Sequence, residues 1–528
     1  MLSLKFITFI ILLCCYNVTG FNILAIASQS FKSHYMAFGP LFRELANRGH
    51  NVTVINNYPD EVSMKNLTFI NLESVPPFKN RTSAISFENI NPEFLRIRNA
   101  YRHIWFGPRS TRKDCENLLK HKGVAQLNAQ RIKYDVIFVE QFMGDCALAY
   151  AATMYDAPII GITSHVLLPW TYPRMGLPFD IAADAFYFSS AGTNPSLYYR
   201  VENKVVNWFL TTFAKWIIHG IIDEIFKEFL PNTQIDIEKI AKERMKMVFA
   251  YQHFSLTGTR VLSHQILEIG GLHIRKPKPL SEELERFLAT AEHGAIYVSF
   301  GSNVKTNSMS KDKLQQFLNA FKKIQQKVIW KWEDASLPED NVNVFAQAWL
   351  PQIDILCHPK VLAFVSHGGM LSLSESAYCG KPLITIPFFG DQFSNSAAAK
   401  QLGFGKMMFF DEINTESLVE AVKELTSETM QLAAKKVKSL WHDRPLPAME
   451  SAIYWTEYVA RHGDSPTHLP SLNNTWLEES QLDVTVIIIA LLISLLFIMY
   501  IILRMVLRII SYLIFRKVKS KSKKEKRK

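Results

Sequence analysis

Two stretches of the chain, about 270 residues apart, open with the same order of elements. In the first, "FNILAIASQS" is an apolar run ending in small and polar residues. "HYMAFGPLFRELANRGH" follows with apolar residues at helical spacing and Gly49 as its stop, and "NVTVI" is a second apolar run. In the other, "GAIYVSFGSN", "SKDKLQQFLNAFKKI" and "KVIWKWE" repeat that succession. Strand, turn, helix and strand make a βαβ unit, whose strands pair in parallel. Two such openings in 528 residues predict two doubly wound α/β domains facing each other. Open parallel sheets bind ligands beyond the carboxyl ends of their strands, so the ligand site is expected in the cleft between them.

Residues 364–392, "FVSHGGMLSLSESAYCGKPLITIPFFGDQ", carry the densest cluster of chemistry-bearing groups. An apolar strand runs into a His-Gly-Gly turn and then a helix. Gly368 and Gly369 let a ligand approach the backbone, and the helix start presents unpaired N–H groups, an arrangement suited to anions. His367 adds a donor. Glu375, one turn into the helix, can reach a vicinal diol such as ribose. Asp391 and Gln392, read as the end of the next strand, point to sugar hydroxyls. Diphosphate, ribose and hexose thus each find a partner, which describes a nucleotide-sugar site.

The ends of the chain bound its location. "MLSLKFITFIILLCCYNVTG" reads as a secretory signal peptide over residues 1–20. Val484 to Leu503 holds 20 residues without a charge, enough to cross a bilayer core of ~30 Å as a helix. Acidic residues precede it and basic ones follow, which predicts a single-pass type I protein with a cytoplasmic tail. The net charge of +11 sits almost wholly in that tail: from Arg504 onward there are 11 Lys and Arg against Glu525. The rest of the chain is near neutral, which argues against nucleic acid as a partner. Lys524 and Lys526 resemble a dilysine retrieval signal of the endoplasmic reticulum membrane. Sequons at Asn66, Asn80 and Asn473 suit a lumenal chain, whereas Asn51 opens an apolar strand. Outside the signal peptide, Cys115, Cys146, Cys357 and Cys379 show no C-x-x-C spacing, and neither a zinc site nor a compelling disulfide framework follows. The aromatic segment 166–260, beginning near "LLPWTYPRMGLPF", suits an apolar acceptor pocket.

The segment "WLPQIDILCHPKVLAFVSHGGMLSLSESAYCGKPLITIPFFGDQ", residues 349–392, resembles the UDP-glycosyltransferase signature, a family that includes the lumenal UDP-glucuronosyltransferases. The likeness extends over nearly the whole chain, and "VEQF" and "HGGMLS" look closer to invertebrate members. It implies two Rossmann-like domains of GT-B type, with an acceptor domain at 21–262 and a UDP-sugar domain at 263–465. A linker at 466–483, a membrane helix at 484–503 and a basic tail at 504–528 complete the organisation. Carried over by position, Trp349 stacks on uracil and Gln352 holds the nucleoside. Ser302 and His367 contact the diphosphate, together with Gly369 and Ser372 at the helix start. Glu375 binds ribose, and Asp391 with Gln392 binds the donor sugar. Many vertebrate members read HGGTNG where this chain has Met370, Leu371 and Ser372, so phosphate contacts there fall to backbone N–H groups or to Ser372.

His34 falls where the family keeps its catalytic base, and an imidazole with a pKa near ~6.5 suits that task. A carboxylate is expected to orient it. Within "YDVIFVEQFMGDC", alignment by strand end selects Glu140 and alignment by residue type selects Asp145; the second is preferred. The resemblance implies a single inverting displacement on small lipophilic acceptors, with no metal and no bound cofactor, the UDP-sugar being a co-substrate. UDP-glucose is the expected donor. UDP-glucuronate is the alternative and would want a dedicated cation, for which Arg260 is a candidate. A transferase devoted to one sterol or lipid and a non-catalytic nucleotide-sugar binder are the other readings, and a homo-oligomer is left open.

Overall fold

The structure is a computed structural model that describes residues 20–29, 31–60, 63–72, 107–183, 189–231, 233–302, 304, 306–333, 337, 343–463, 469, 472 and 475–525. The first sheet holds β1 (Asn22–Ala27), β2 (Asn51–Asn56), β3 (Leu67–Asn71), β4 (Val136–Glu140), β5 (Ile159–Thr163), β6 (Met245–Ala250) and β7 (Ile266–Glu268). Its spatial order is β3-β2-β1-β4-β5-β6-β7, parallel throughout. The second holds β8 (Ala295–Ser299), β9 (Lys327–Lys331), β10 (Val344–Gln347), β11 (Val361–Ser366), β12 (Leu383–Thr385) and β13 (Gly405–Met407). Its order is β10-β9-β8-β11-β12-β13, again parallel. Strands β4, β5 and β8 are buried along their whole length, so they read as continuous rather than alternating apolar runs. Both sheets reverse their strand order at their first strand, between β1 and β4 and between β8 and β11, which is where doubly wound folds open a crevice.

The helices that carry the argument are α1 (Lys32–Asn47), α2 (Asp145–Met154), α3 (Leu197–Phe209), α4 (Lys215–Phe229), α5 (Ile237–Arg244), α6 (Gln352–Cys357), α7 (Met370–Cys379), α8 (Gln392–Gln401), α9 (Ala448–His462) and α10 (Leu482–Glu525). Helix α1 follows β1, and α7 follows β11 through Gly368, whose φ of +81° is a left-handed conformation natural to glycine.

Three boundaries differ from the sequence reading. Strand β7 pairs with β6, so the first sheet continues past residue 262 as far as Glu268. Helix α9 lies in the second half of the sequence, yet Ala452, Ile453 and Val459 are buried in the core of the first sheet. Strand β12 ends at Thr385, which places Asp391 and Gln392 at the start of α8 rather than at a strand end. Residues 469–528 form a separate unit containing α10, whose stretch Leu482–Lys517 is long and apolar enough to cross a membrane and outruns the expected 484–503. Residues 1–19, Asn80, Asn473 and Lys526 lie outside the described residues. Asn66 is half-buried and Asn51 is exposed, with its amide donating to Asn22 Oδ1.

The cysteines correct the sequence reading outright. Cys115 pairs with Cys146, and Cys357 with Cys379, across 31 and 22 residues. The second bridge ties the end of α6 to the end of α7. Closing loops of this size removes about 3–4 kcal/mol of denatured-chain entropy for each bridge. The prediction is that the four yield no free thiol in the denatured, unreduced protein. Replacing Cys357 and Cys379 together by Ser should lower stability by about 3 kcal/mol in denaturant melts.

Candidate active site

On the first sheet, β1 and β4 deliver two titratable groups to the same crevice. His34 sits in the first turn of α1, and Glu140 ends β4 with its side chain wholly buried. His34 Nδ1 lies 3.8 Å from Glu140 Oε1, an electrostatic contact rather than a hydrogen bond. Phe31 stacks on the imidazole at 5.0 Å, and Phe142 and His165 meet it edge-on at 5.1 and 4.8 Å. These rings leave the His34 side chain only 11% exposed. Burial, and then the neighbouring His165, hold the His34 imidazole well below its ordinary pKa. Burial also pushes the Glu140 carboxyl up to about 8, against the N–H groups of Phe142 and Ser164, which favour its ionised form. Near neutral pH the pair is therefore uncharged, with the imidazole free to accept a proton.

Asp145, the preferred partner by sequence, is engaged elsewhere. The buried Arg174 guanidinium donates to both its oxygens at 2.8 and 3.0 Å, and His219 lies 3.0 Å from Oδ2. The Arg174 charge and the hydrogen bonds from these two side chains hold its carboxyl far below the usual carboxylate range despite burial. Glu238 shares the same guanidinium, at 2.7 Å. Arg174 thereby clasps α2 to α5. Glu140, not Asp145, is the carboxylate beside His34.

Across the cleft, β8 and β11 supply the other wall. Ser302 stands in the turn after β8, beside Gly301 with a φ of +77°; a Cβ at Gly301 would meet the His367 ring at 2.7 Å, so only glycine fits. Burial, then Lys331, pull His367 down to a pKa of about 4, so it serves as a neutral donor rather than a charge. Gly369 caps α7, and its N-terminal turn lines the cleft with Met370, Leu371 and Ser372. Met370 is buried in the first domain's core, and Leu371 packs against that core.

The nucleoside end is a hydrogen-bonded chain. Gln352 Nε2 donates to Ser372 Oγ at 3.0 Å and to Glu375 Oε2. The other Glu375 oxygen lies 3.2 Å from His273 Nε2, and His273 Nδ1 bonds to the Tyr251 hydroxyl. Trp349 leaves 63% of its surface exposed on the cleft wall, with the Lys32 ammonium 5.8 Å from its ring centroid. Asp391 accepts from Asn395 Nδ2 at 2.9 Å and raises the pKa of His165, whose imidazole is otherwise held low by burial. Gln392 turns its carbonyl oxygen to the N–H groups of Phe388 and Phe389, at 2.7 and 3.1 Å, and so shapes the loop before α8.

These groups line one cavity of about 1160 Å³. It brings together His34 and every expected UDP-sugar residue: Ser302, Trp349, Gln352, His367, Gly369, Ser372, Glu375, Asp391 and Gln392. Glu140 stands behind His34, and neither Asp145 nor Arg260 is among the lining residues. His165, His273 and Lys331 join it unforeseen. His165 follows β5 in "IIGITSH", two residues past a strand end that opens on the crevice. His273 comes from a loop after β7 and has no local signal, since only the tertiary fold brings it to Glu375.

The family model described as UDP-glucoronosyl and UDP-glucosyl transferase matches residues 22–521. UDP-glycosyltransferase UGT5 of Dactylopius coccus is 30% identical, covering 89% of this chain and 89% of its own length. UDP-glycosyltransferase UGT4 of the same organism is 32% identical over 88% of this chain and 91% of its own. UDP-glucuronosyltransferase 2B30 of Macaca fascicularis is 26% identical over 93% and 94%. Two solved structures share the fold at 16% identity: the glycotransferase of kitacinnamycin, with a TM-score of 0.57 over 83% of this chain and 99% of that one, and the calicheamicin glycosyltransferase CalG4, with 0.53 over 84% and 99%. With two parallel-sheet α/β domains of GT-B type meeting at one cleft, and with that match along nearly its whole length, the chain belongs to the UDP-glucuronosyl and UDP-glucosyl transferase family and is a sugar-transferring enzyme.

Proposed function

We propose that the chain transfers glucose from UDP-glucose to a hydroxyl group of small lipophilic acceptors by a single inverting displacement. The observation that carries this reading is the His34–Glu140 pair at the crevice of one sheet, in the same cavity as the helix start and ribose-type carboxylate of the other. Phe31, Met36, Met64, Phe142 and Leu272 give the acceptor side an apolar wall. His34 takes the acceptor's proton, the freed oxygen attacks the anomeric carbon from the face opposite the nucleotide, and UDP departs with the bonding pair. The α7 N–H groups and the neutral His367 donate to the diphosphate as its charge grows. Trp349 offers its ring to uracil, Glu375 accepts from the ribose diol, and Asp391 receives hexose hydroxyls.

Glucose is favoured over glucuronate because each described Arg or Lys lining the cavity already holds a carboxylate. Arg43 is paired with Asp60 at 2.7 Å, Arg275 with Asp354 at 2.6 Å and Lys331 with Glu333 at 2.9 Å. A glucuronate carboxylate would have to compete with one of these. The apolar helix α10 and the signal-like N-terminus support a lumenal enzyme of the endoplasmic reticulum membrane, its site facing away from the cytoplasm.

Membranes from cells expressing the full chain, given UDP-glucose or UDP-glucuronate and a panel of phenols and flavonoids, should form hexosides with kcat/KM at least about tenfold higher for UDP-glucose. The reverse ratio would reject the donor, and no conjugate despite UDP binding would favour a non-catalytic binder. Removing the base with His34→Ala should cost about 10²–10⁴-fold in kcat while UDP affinity holds.

The pH profile separates the two carboxylates. Proton transfer to His34 builds an imidazolium in a dry site, which an ionised Glu140 offsets and a protonated one does not. Turnover should therefore climb as pH rises through about 8, where Glu140 ionises. In Glu140→Gln that climb should vanish and kcat should fall about 100-fold. Asp145→Asn should keep the profile and instead lose about 3 kcal/mol of stability, because it strips a partner from buried Arg174.

A further inference from the structure

Helices α3 and α4 join through a π-helical turn, Leu210–Ala214, into one continuous rod. Leu197–Phe229 is one of two described stretches long and apolar enough to cross a membrane, yet only 11% of its apolar window is buried, so it is not a core helix. It is not a lipid-surrounded span either. Asn203, Leu210, Ile222, Ile225 and Phe226 are buried, and Val206, Phe209 and Ala214 pack on the first domain's core. One side of the rod belongs to the enzyme.

The other side is an apolar stripe open to solvent. Leu197, Val201, Val205, Trp208, Phe213 and Trp216 follow one another at helical spacing. They are exposed by 68, 57, 58, 62, 47 and 71%. The five-residue step from Trp208 to Phe213 would leave the stripe in a regular α-helix; the π turn absorbs the extra residue and keeps Phe213 and Trp216 in line. Phe213 and Trp216 pack ring to ring at 6.1 Å. The stripe runs about 30 Å from Leu197 to Trp216, at about 1.5 Å per residue. Beyond it the exposed positions turn polar: Gly220, Glu224 and Lys227. Arg200 and Lys204 are exposed on the first turns, next to the stripe.

We propose that this face lies flat in the headgroup boundary of a lipid bilayer, with Trp208, Phe213 and Trp216 at the acyl edge and Arg200 and Lys204 towards anionic headgroups. An exposed amphipathic rod with two tryptophans and flanking cations is the pattern of an interfacial helix. A bilayer is the expected occupant because the same chain carries Leu482–Lys517, an apolar helix that tethers the globular unit to a membrane. The inference rests on that reading of the tether. The rod then gives the domain expected to bind lipophilic acceptors a second hold on the phase in which those acceptors dissolve.

The four described cysteines are paired and the sequence holds two more, Cys14 and Cys15, so in a Cys14→Ser, Cys15→Ser background an introduced thiol can be labelled alone. Full-length Trp208→Cys, Trp216→Cys, Leu432→Cys and Leu495→Cys, each labelled with bimane, would be reconstituted in phosphatidylcholine–phosphatidylserine vesicles. The vesicles would or would not carry a nitroxide high on the acyl chain. UDP binding by each variant verifies folding. Positions 208 and 216 should lose roughly half their emission to the nitroxide, while Leu432, exposed on a helix of the second sheet's domain, should not change. Quenching at Leu495 independently tests the tether. Quenching at Leu495 with none at 208 or 216 overturns the inference and leaves the tether standing; none at any of the three overturns both. Shielding from aqueous iodide at 208 and 216 without nitroxide quenching overturns it in favour of a second copy of the chain on this face.

Discussion

The reversal of strand order at the middle of each parallel sheet governs everything that follows. At that point adjacent strands send their connections to opposite faces, so the carboxyl ends of β1 and β4, and of β8 and β11, open onto a crevice that no helix covers. Side chains at or just beyond such a strand end, or in the first turn of the helix that follows it, can face the crevice. His34 and Glu140 do so on one sheet, and Ser302 and His367 on the other. Neither crevice alone makes an enzyme. Helix α9 returns to the first domain's core, and Met370 of the second domain is buried in it, so the two crevices are held against a common cavity.

Burial then sets the electrostatics. A histidine and a carboxyl 3.8 Å apart in water would exchange a proton and form an ion pair, but here the desolvation of two charges outweighs their attraction. The pair rests neutral and acquires charge only when the reaction supplies a proton. The nucleoside end uses the opposite device. Glu375 is held from both sides, by Gln352 of its own domain and by His273 of a loop leaving the first, so the carboxylate is oriented before any ribose arrives. Because His273 and its partner Tyr251 are carried by the first sheet's side of the chain, the donor site is complete only with both domains in place.

How much of this the sequence discloses follows from how local each signal is. The βαβ openings, His34 and the HGG turn are local patterns, and His34, His367 and Gly369 line one cavity between the sheets. The choice between Glu140 and Asp145 was not local. Residue type favoured aspartate, but strand ends decide direction, and Glu140 is the last residue of β4 while Asp145 already begins a helix. Nothing near Asp145 announces Arg174, 29 residues on, which takes both its oxygens. Asp391 and Gln392 were assigned to a strand because "PLITIPFFG" is apolar throughout; the strand stops after Thr385, and Pro387 follows, a residue that cannot donate to a ladder. The cysteine pairings depend on which helices the sheet brings side by side, and no spacing encodes that.

The loss of polar side chains at 370 and 371 looked, from sequence, like damage to the phosphate site, and it kept a non-catalytic reading alive. The packing gives it another meaning. A helix start binds anions through its backbone N–H groups and its dipole, which are present whatever the side chains are. Gly369 still caps α7, and Ser372 still lines the cavity, its oxygen accepting from Gln352. Met370 is 3% exposed and Leu371 half-buried, both against the core that holds His34's helix. Burying a side chain of that size contributes about 1.5–3 kcal/mol, which here works to hold the two domains together. A polar residue at 370 would have to be desolvated against that core without a guaranteed partner. Met370 and Leu371 therefore tie the start of α7 in the second domain to the core beneath the helix of His34, so these positions hold the two walls of the cavity together.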